Sequence, residues 1–300
     1  MQTSPTPSQQ PDPAAFTTVA EARSSITDRL AQAGVPSADV DAELLIGHVL
    51  GLGRGAVQAA AVTGRMIEPE QLGLLEEIVA RRAAREPLQH ITGRAAFRSM
   101  ELAVGPGVFV PRPETESVVQ FAIDALRAVP SEHPIGVDLG TGSGAIALAM
   151  ATEVPHAQIH ATENSVEAFI WTKQNFRESG ADNARLVFED LANAFHDLDG
   201  TVDVVISNPP YVPDDAIPRD PEVRLHDPAA ALYGGPDGLD VVREVSATAA
   251  RLLHPGGTLI IEHGELQGAA IRDILTADGW HAAATHRDLT LRDRTTIALR

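Results

Sequence analysis

Two short runs of residues carry the chemistry for which this sequence is equipped. The first is Asp138-Leu139-Gly140-Thr141-Gly142-Ser143-Gly144, where glycines alternate with small polar residues at the end of an apolar stretch. Glycine lets the backbone turn tightly and come close to a bound molecule where a Cβ would collide. Glu163 follows 23 residues after Gly140, closing the next apolar stretch. There a carboxylate can accept hydrogen bonds from two ribose hydroxyls, so the pair suits a cofactor containing a nucleoside. Gly140, Gly142 and Ala145 also satisfy the G-x-G-x-x-G/A pattern, which keeps a nicotinamide dinucleotide open as a ligand.

The second run is Asn208-Pro209-Pro210-Tyr211, directly after an apolar stretch ending at Ser207. Two prolines stiffen the backbone in an extended form and remove two amide donors. The oxygens of Asn208 and Pro209 are then left as acceptors, and Tyr211 supplies a flat face. Such a loop receives a planar group that bears an NH2, either a carboxamide or an exocyclic amine.

The rest of the chain must hold these runs together. From Pro134 onward, strand and helix patterns alternate, the signature of a parallel α/β sheet. Expected strands cover 135–139, 158–163, 185–189, 203–207, 258–262, 282–286 and 295–299, with helices over 145–153, 166–179, 239–253 and 267–277. Between Thr17 and Arg85 the rhythm is helical: Val19, Ala22, Ile26 and Leu30 form one face, Val40, Leu44 and Leu45 a second, and Leu72, Leu75, Val79 and Arg82 a third. A small front bundle follows from the short connections. Between them, residues 97–110 read as two short strands around a turn at Gly105-Pro106-Gly107. Pro113, Glu114 and Glu116 then suit the opening turn of a helix. Residues 1–16 hold four prolines and neither the charged start nor the apolar centre of an export signal, so a disordered tail and a cytoplasmic protein are expected.

Composition narrows the classes. The net charge of −18, from 23 basic and 41 acidic residues, disfavours a phosphate-gripping surface and therefore non-specific nucleic-acid binding, and no sequence-specific nucleic-acid partner is expected either. The absence of cysteine removes disulfides, thiolate metal sites and a cysteine nucleophile. The apolar run 145–151 is far too short to span a bilayer, so no membrane partner is expected. His156 and His160 do not form a metal-binding pattern, and no metal is expected.

Taken together, Pro87-Leu-Gln-His-Ile-Thr-Gly93, Phe97, Pro111-Arg-Pro-Glu-Thr-Glu116, Asp138-x-Gly140-x-Gly142-x-Gly144, Asn208-Pro-Pro-Tyr211 and Gly234-Gly-Pro-Asp-Gly-Leu239 resemble the HemK-type (PrmC) release-factor glutamine methyltransferases. The resemblance covers about 17–300. It implies a class I Rossmann-like methyltransferase domain with a seven-stranded mixed sheet whose final strand is inserted antiparallel, over 113–300. A helical substrate-docking domain over 17–86 and a β-hairpin linker over 87–112 would precede it. The implied reaction methylates the side-chain amide of the glutamine in the Gly-Gly-Gln loop of peptide chain release factors, using S-adenosylmethionine. Gly140, Thr141, Gly142, Ser143, Gly144, Glu163, Asp190, Leu191, Asn208 and Phe97 would hold the cofactor. Asn208, Pro209, Pro210 and Tyr211 would bind the substrate, with Asn208, Pro209 and Tyr211 catalytic. Leu191 stands where the family often has an aromatic residue. A ribosomal-protein glutamine methyltransferase and an adenine-N6 nucleic-acid methyltransferase remain as alternatives, because each presents a planar nitrogen.

Overall fold

A computed structural model describes residues 17–300; the tail expected over 1–16 lies outside the described residues. The chain divides into two compact units, one ending at Thr92 and the other spanning Gly93–Arg300.

The first unit is helical: α1 (Val19–Gln32), α2 (Ala38–Leu50), α3 (Arg54–Val62), α4 (Pro69–Ala83) and α5 (Leu88–Thr92), with two-residue strands β1 (Thr17–Thr18) and β2 (Met66–Ile67) paired antiparallel. Thr18 and Glu21 cap α1 reciprocally: the Glu21 N–H donates to Thr18 Oγ1, and the Thr18 N–H donates to the Glu21 carboxylate. Gly51, at φ 64°, ends α2. The periodicity misses α3, whose buried residues are only Val57 and Ala60. It also places Leu44 inside, whereas Leu44 is 37% exposed. The face of α2 is rotated because two acidic residues are drawn inward by arginines. Asp41 pairs with buried Arg82 at 2.7 Å, and Glu43 pairs with Arg54 at 2.6 Å and Arg23 at 3.0 Å.

The second unit opens with the hairpin β3 (Arg94–Phe97) and β4 (Met100–Ala103). Its turn falls at Arg98 and Ser99 rather than at Gly105-Pro106-Gly107. Arg98 adopts φ 52°, and its neighbours hold it there. The Glu116 carboxylate accepts its backbone N–H at 2.9 Å, while its guanidinium donates to Glu153 and to Gln120.

There follow α6 (Pro113–Ala128), β5 (Ile135–Leu139), α7 (Ala145–Glu153), β6 (Gln158–Glu163), α8 (Val166–Ser179), β7 (Ala184–Phe188) and β8 (Val202–Ser207). Short helices α9 (Pro221–His226) and α10 (Ala229–Leu232) lead to α11 (Asp240–Leu252), β9 (Leu253–Glu262), α12 (Gly268–Ala277), β10 (His281–Arg287) and β11 (Asp293–Leu299). The seven strands are ordered β10-β11-β9-β8-β5-β6-β7. The last strand, β11, lies antiparallel between β9 and β10, while β9, β8, β5, β6 and β7 run parallel. Both faces are covered, as a parallel sheet requires. Side chains alternate along each strand, so Val204 and Ile206 join the layer of α6 and α7, while Val137, Leu139 and Val205 join that of α11 and α12. Helix α7 is buried on all sides from Ala145 to Ala151, which explains its uninterrupted apolar sequence. No single helix among the described residues is long and apolar enough to cross a membrane.

Candidate cofactor and acceptor site

The strand order reverses at β5. The chain leaves β5 for β6 and β7 on one side, then returns through β8 on the other. Ligands of open α/β sheets bind beyond the carboxyl ends of the strands at such a switch point. The Ser207 hydroxyl donates to the Leu139 carbonyl at 2.7 Å, fastening the ends of β8 and β5 together. A cavity of about 400 Å³ opens just past them.

Gly140, Thr141, Gly142 and Ser143 form one wall of this cavity. Gly140 and Gly142 have φ of +73° and +58°, and a Cβ built on either would meet no described atom within 4 Å. The open side of this turn is therefore the cavity itself, a cradle that side chains would fill. Gly144 departs from the expectation that it holds the cofactor. It is absent from the wall, and a Cβ there would lie 3.0 Å from the Phe176 ring. Its smallness serves the packing of α7 on α8.

Asp138 lies beneath the turn, fully buried. Its Oδ2 accepts from the Thr141 hydroxyl at 2.5 Å and the Ala147 N–H at 3.1 Å, and its Oδ1 has no partner among the described residues. Burial pushes its carboxyl up to about 7 against those two hydrogen bonds. Glu163, at the end of β6, also faces the cavity. Its Oε2 accepts from the Gly142 N–H at 2.8 Å, and its Oε1 accepts from Asn164 at 3.0 Å and Ser165 at 2.8 Å. Burial raises this carboxyl as well, and the three N–H donors oppose the shift. A carboxylate offers about four acceptor positions, so roughly one stays open toward a ligand hydroxyl.

Asp190 and Leu191 reach the same cavity. Asp190 is fixed by the Asn164 amide at 3.0 Å and the Ala192 N–H at 2.9 Å, and Leu191 presents an aliphatic surface. Phe97 does not reach it. In β3 alternate residues turn inward, and Phe97 is 1% exposed among core residues including Leu102 and Val118. The aromatic side chain on the wall near the hairpin is Phe109, with the Arg112 guanidinium 4.8 Å from its ring centroid.

Across the cavity stand Asn208, Pro210 and Tyr211, whereas Pro209 is buried behind them and is not on the wall. Burial and the nearby Glu262 carboxyl push the Tyr211 phenol up to about 12, so it stays neutral. The Tyr211 carbonyl accepts from Gln267 at 2.8 Å. Gly234 passes so close that a Cβ there would sit 2.4 Å from the Pro210 carbonyl oxygen. Residues 234–239 thus clamp the proline loop, a role their sequence alone does not disclose. Two further wall residues, Thr115 and Arg112, come from the opening turn of α6 and the residue before it. Arg112 donates to Asp227 at 2.6 Å, although the Asp227 side chain is fully buried, and so pins the segment that carries α9 and α10. The sequence signal for these residues was the acidic and proline-rich run at 111–116, which reads first as a helix start.

The cavity therefore joins a nucleoside-sized cradle to a rigid set of acceptors. The cradle glycines, the carboxylate of Glu163 and the space between them fit S-adenosylmethionine. That molecule supplies a methyl group on positively charged sulfur. The patterns described as PrmC N-terminal domain and Methyltransferase small domain match residues 21–93 and 100–230, respectively. A release factor glutamine methyltransferase from Streptomyces coelicolor is 52% identical over 89% of this chain and 93% of its own. One from Bifidobacterium longum is 44% identical over 91% and 96%. A 4-amino-L-phenylalanine/4-methylamino-L-phenylalanine methyltransferase from Streptomyces pristinaespiralis is 38% identical over 91% and 92%. With both units matched in order and the similarity running nearly end to end, the chain belongs to the release factor glutamine methyltransferase family, and its cofactor is S-adenosylmethionine rather than a nicotinamide dinucleotide.

Proposed function

We propose that this protein methylates the side-chain amide nitrogen of the glutamine in the Gly-Gly-Gln motif of peptide chain release factors, in the cytoplasm where termination occurs. The observation that carries the reading is that Asn208, Pro210 and Tyr211 share one cavity with Gly140 and Gly142. An amide nitrogen is a poor nucleophile because its lone pair is delocalised into the carbonyl. In this reading the Asn208 side-chain oxygen accepts one of its N–H hydrogens and Tyr211 packs on the amide plane, whereas the Pro209 carbonyl, expected to take the other, lies off the cavity wall. The nitrogen is then held in line with the methyl group, and such positioning contributes up to ~7–11 kcal/mol in ideal cases. The Asn208 oxygen binds the NH2 more strongly as it becomes positive, which favours the transition state over the ground state. The nitrogen gives up one proton to water as the methylated amide forms.

The helical stretch 17–86 serves in this reading to dock the protein acceptor, with 87–112 as the linker. Its exposed apolar side chains Val62, Met66 and Leu74 support that role. Replacing Val62 and Leu74 with Glu should lower efficiency on the whole factor while sparing a short glutamine peptide. Equal loss on both would leave the stretch a structural part only. The acidic surface argues against a nucleic-acid acceptor.

A second acceptor is chemically natural, since the relative from Streptomyces pristinaespiralis is named for an arylamine and an arylamine is also a planar NH2. Peptide mass mapping after incubation with S-adenosylmethionine separates the two. A single added methyl on the motif glutamine of the factor, lost when that glutamine is replaced, supports the proposal. Methyl transfer to 4-amino-phenylalanine or to an oligonucleotide with the factor untouched would overturn it.

A further inference from the structure

Strands β8 and β9 pair in parallel with Ser207 opposite Ile261. Asn208 and Glu262 are the next residues along, side by side at the carboxyl end of the sheet. Glu262 is 2% exposed, and its Oε2 has no hydrogen-bond partner among the described residues. Thr115 from α6 and Asn208 after β8 come near enough to donate to its charged form, and the charges of Arg294 on β11 and Glu114 on α6 act on it; its own charge in turn acts on Tyr211 in the proline loop. The Thr115 hydroxyl is likewise buried with no partner among the described residues.

A buried carboxyl with an unused oxygen lowers stability, and an apolar residue of that size would pack at less cost. Its position suggests what it provides. A carboxamide has two ends of nearly equal shape and opposite hydrogen-bonding character. If the Asn208 NH2 faced the acceptor nitrogen, donor would oppose donor and the site would be inert. A carboxylate can only accept, so it selects one of the two orientations.

We propose that Glu262 is a positioning residue for methyl transfer: its carboxylate takes the Asn208 NH2 and so turns the Asn208 carboxamide oxygen toward the acceptor nitrogen. The proposal rests on the role given to Asn208 above. Burial pushes the Glu262 carboxyl up to about 7, and an Asn208 NH2 that donates to the charged form works against that rise.

The test is a double-mutant cycle on the full chain, comparing Glu262→Leu, Glu262→Gln, Asn208→Ala and the paired variants. Single-turnover transfer of labelled methyl to a release factor is measured alongside S-adenosylmethionine affinity by calorimetry. Glu262→Leu should slow transfer about 100-fold, and Glu262→Gln, which keeps one acceptor but adds a competing donor, about 10-fold. Cofactor affinity should stay within about threefold, and in the Asn208→Ala background either change should cost less than about twofold. Glu262→Leu or Glu262→Gln at the parental rate, or an undiminished loss in the Asn208→Ala background, overturns the proposal. If Glu262→Leu does not fold, Glu262→Gln and its paired variant decide alone. Asn208→Ala at the parental rate would instead sink the reading of Asn208 itself.

Discussion

The backbone N–H of Gly142 lies 2.8 Å from Oε2 of Glu163. The glycine turn after β5 and the carboxylate after β6 are thereby tied into one unit. That preorganisation lowers the ordering cost of binding.

Glu163→Gln replaces an acceptor-only group with one that presents an NH2 to backbone donors. Hydrogen bonds to charged groups are worth ~1.5–3 kcal/mol, so S-adenosylmethionine affinity should fall roughly 10–100-fold. Isothermal titration checks this, and an unchanged affinity would show that the carboxylate serves the turn alone.

The loop glycines should separate into two kinds. Gly140→Ala and Gly142→Ala put a methyl into the cavity at positive φ, adding ~1–2 kcal/mol of backbone strain. Cofactor binding should suffer more than melting temperature. Gly144→Ala carries similar strain and also drives a methyl toward Phe176, so its melting temperature should fall furthest of the three. Calorimetric titration beside thermal melts distinguishes them.

His160, on β6, has neither ring nitrogen hydrogen-bonded among the described residues, and Phe195 meets it edge-on at 5.4 Å. Burial first, and then the Arg185 charge, hold its pKa below the ordinary 6.5. The unfolded chain therefore binds this proton more readily than the folded one. Its contribution to stability is whole above the unfolded value and is lost as pH falls through it toward the lower folded value. Asp138 and Glu262, both pushed up to about 7, act with the opposite sign, so the comparison is between variant and parent at each pH. His160→Leu should lose less melting temperature than the parent between pH ~7 and ~5; parallel curves would contradict this.

The sheet was legible in the sequence because a strand buried on both faces has an apolar run of the right length between glycine-rich or proline-rich turns. Ile135–Leu139 and Gln158–Glu163 match their expected bounds residue for residue. The cavity wall was less legible. Asn208 and Gly140 announce themselves by type and spacing, whereas Glu262 is an ordinary strand exit until register places it beside Asn208. Phe97 and Phe109 are both aromatic and near the hairpin, and only the alternation along β3 decides which one faces the core. Leu44 misleads for a different reason: periodicity treats Asp41 and Glu43 as solvated, while ion pairs with Arg82, Arg54 and Arg23 carry them inside.

In the proposed function, Asn208 holds a carboxamide against a methyl donor seated on Gly140 and Gly142. Single-turnover methyl transfer by Asn208→Ala, at saturating S-adenosylmethionine, tests this most directly when paired with calorimetric affinity for the cofactor. We predict a loss of at least about 100-fold in rate with affinity within a few-fold. Transfer near the parental rate, or a rate loss fully matched by lost cofactor binding, would contradict it.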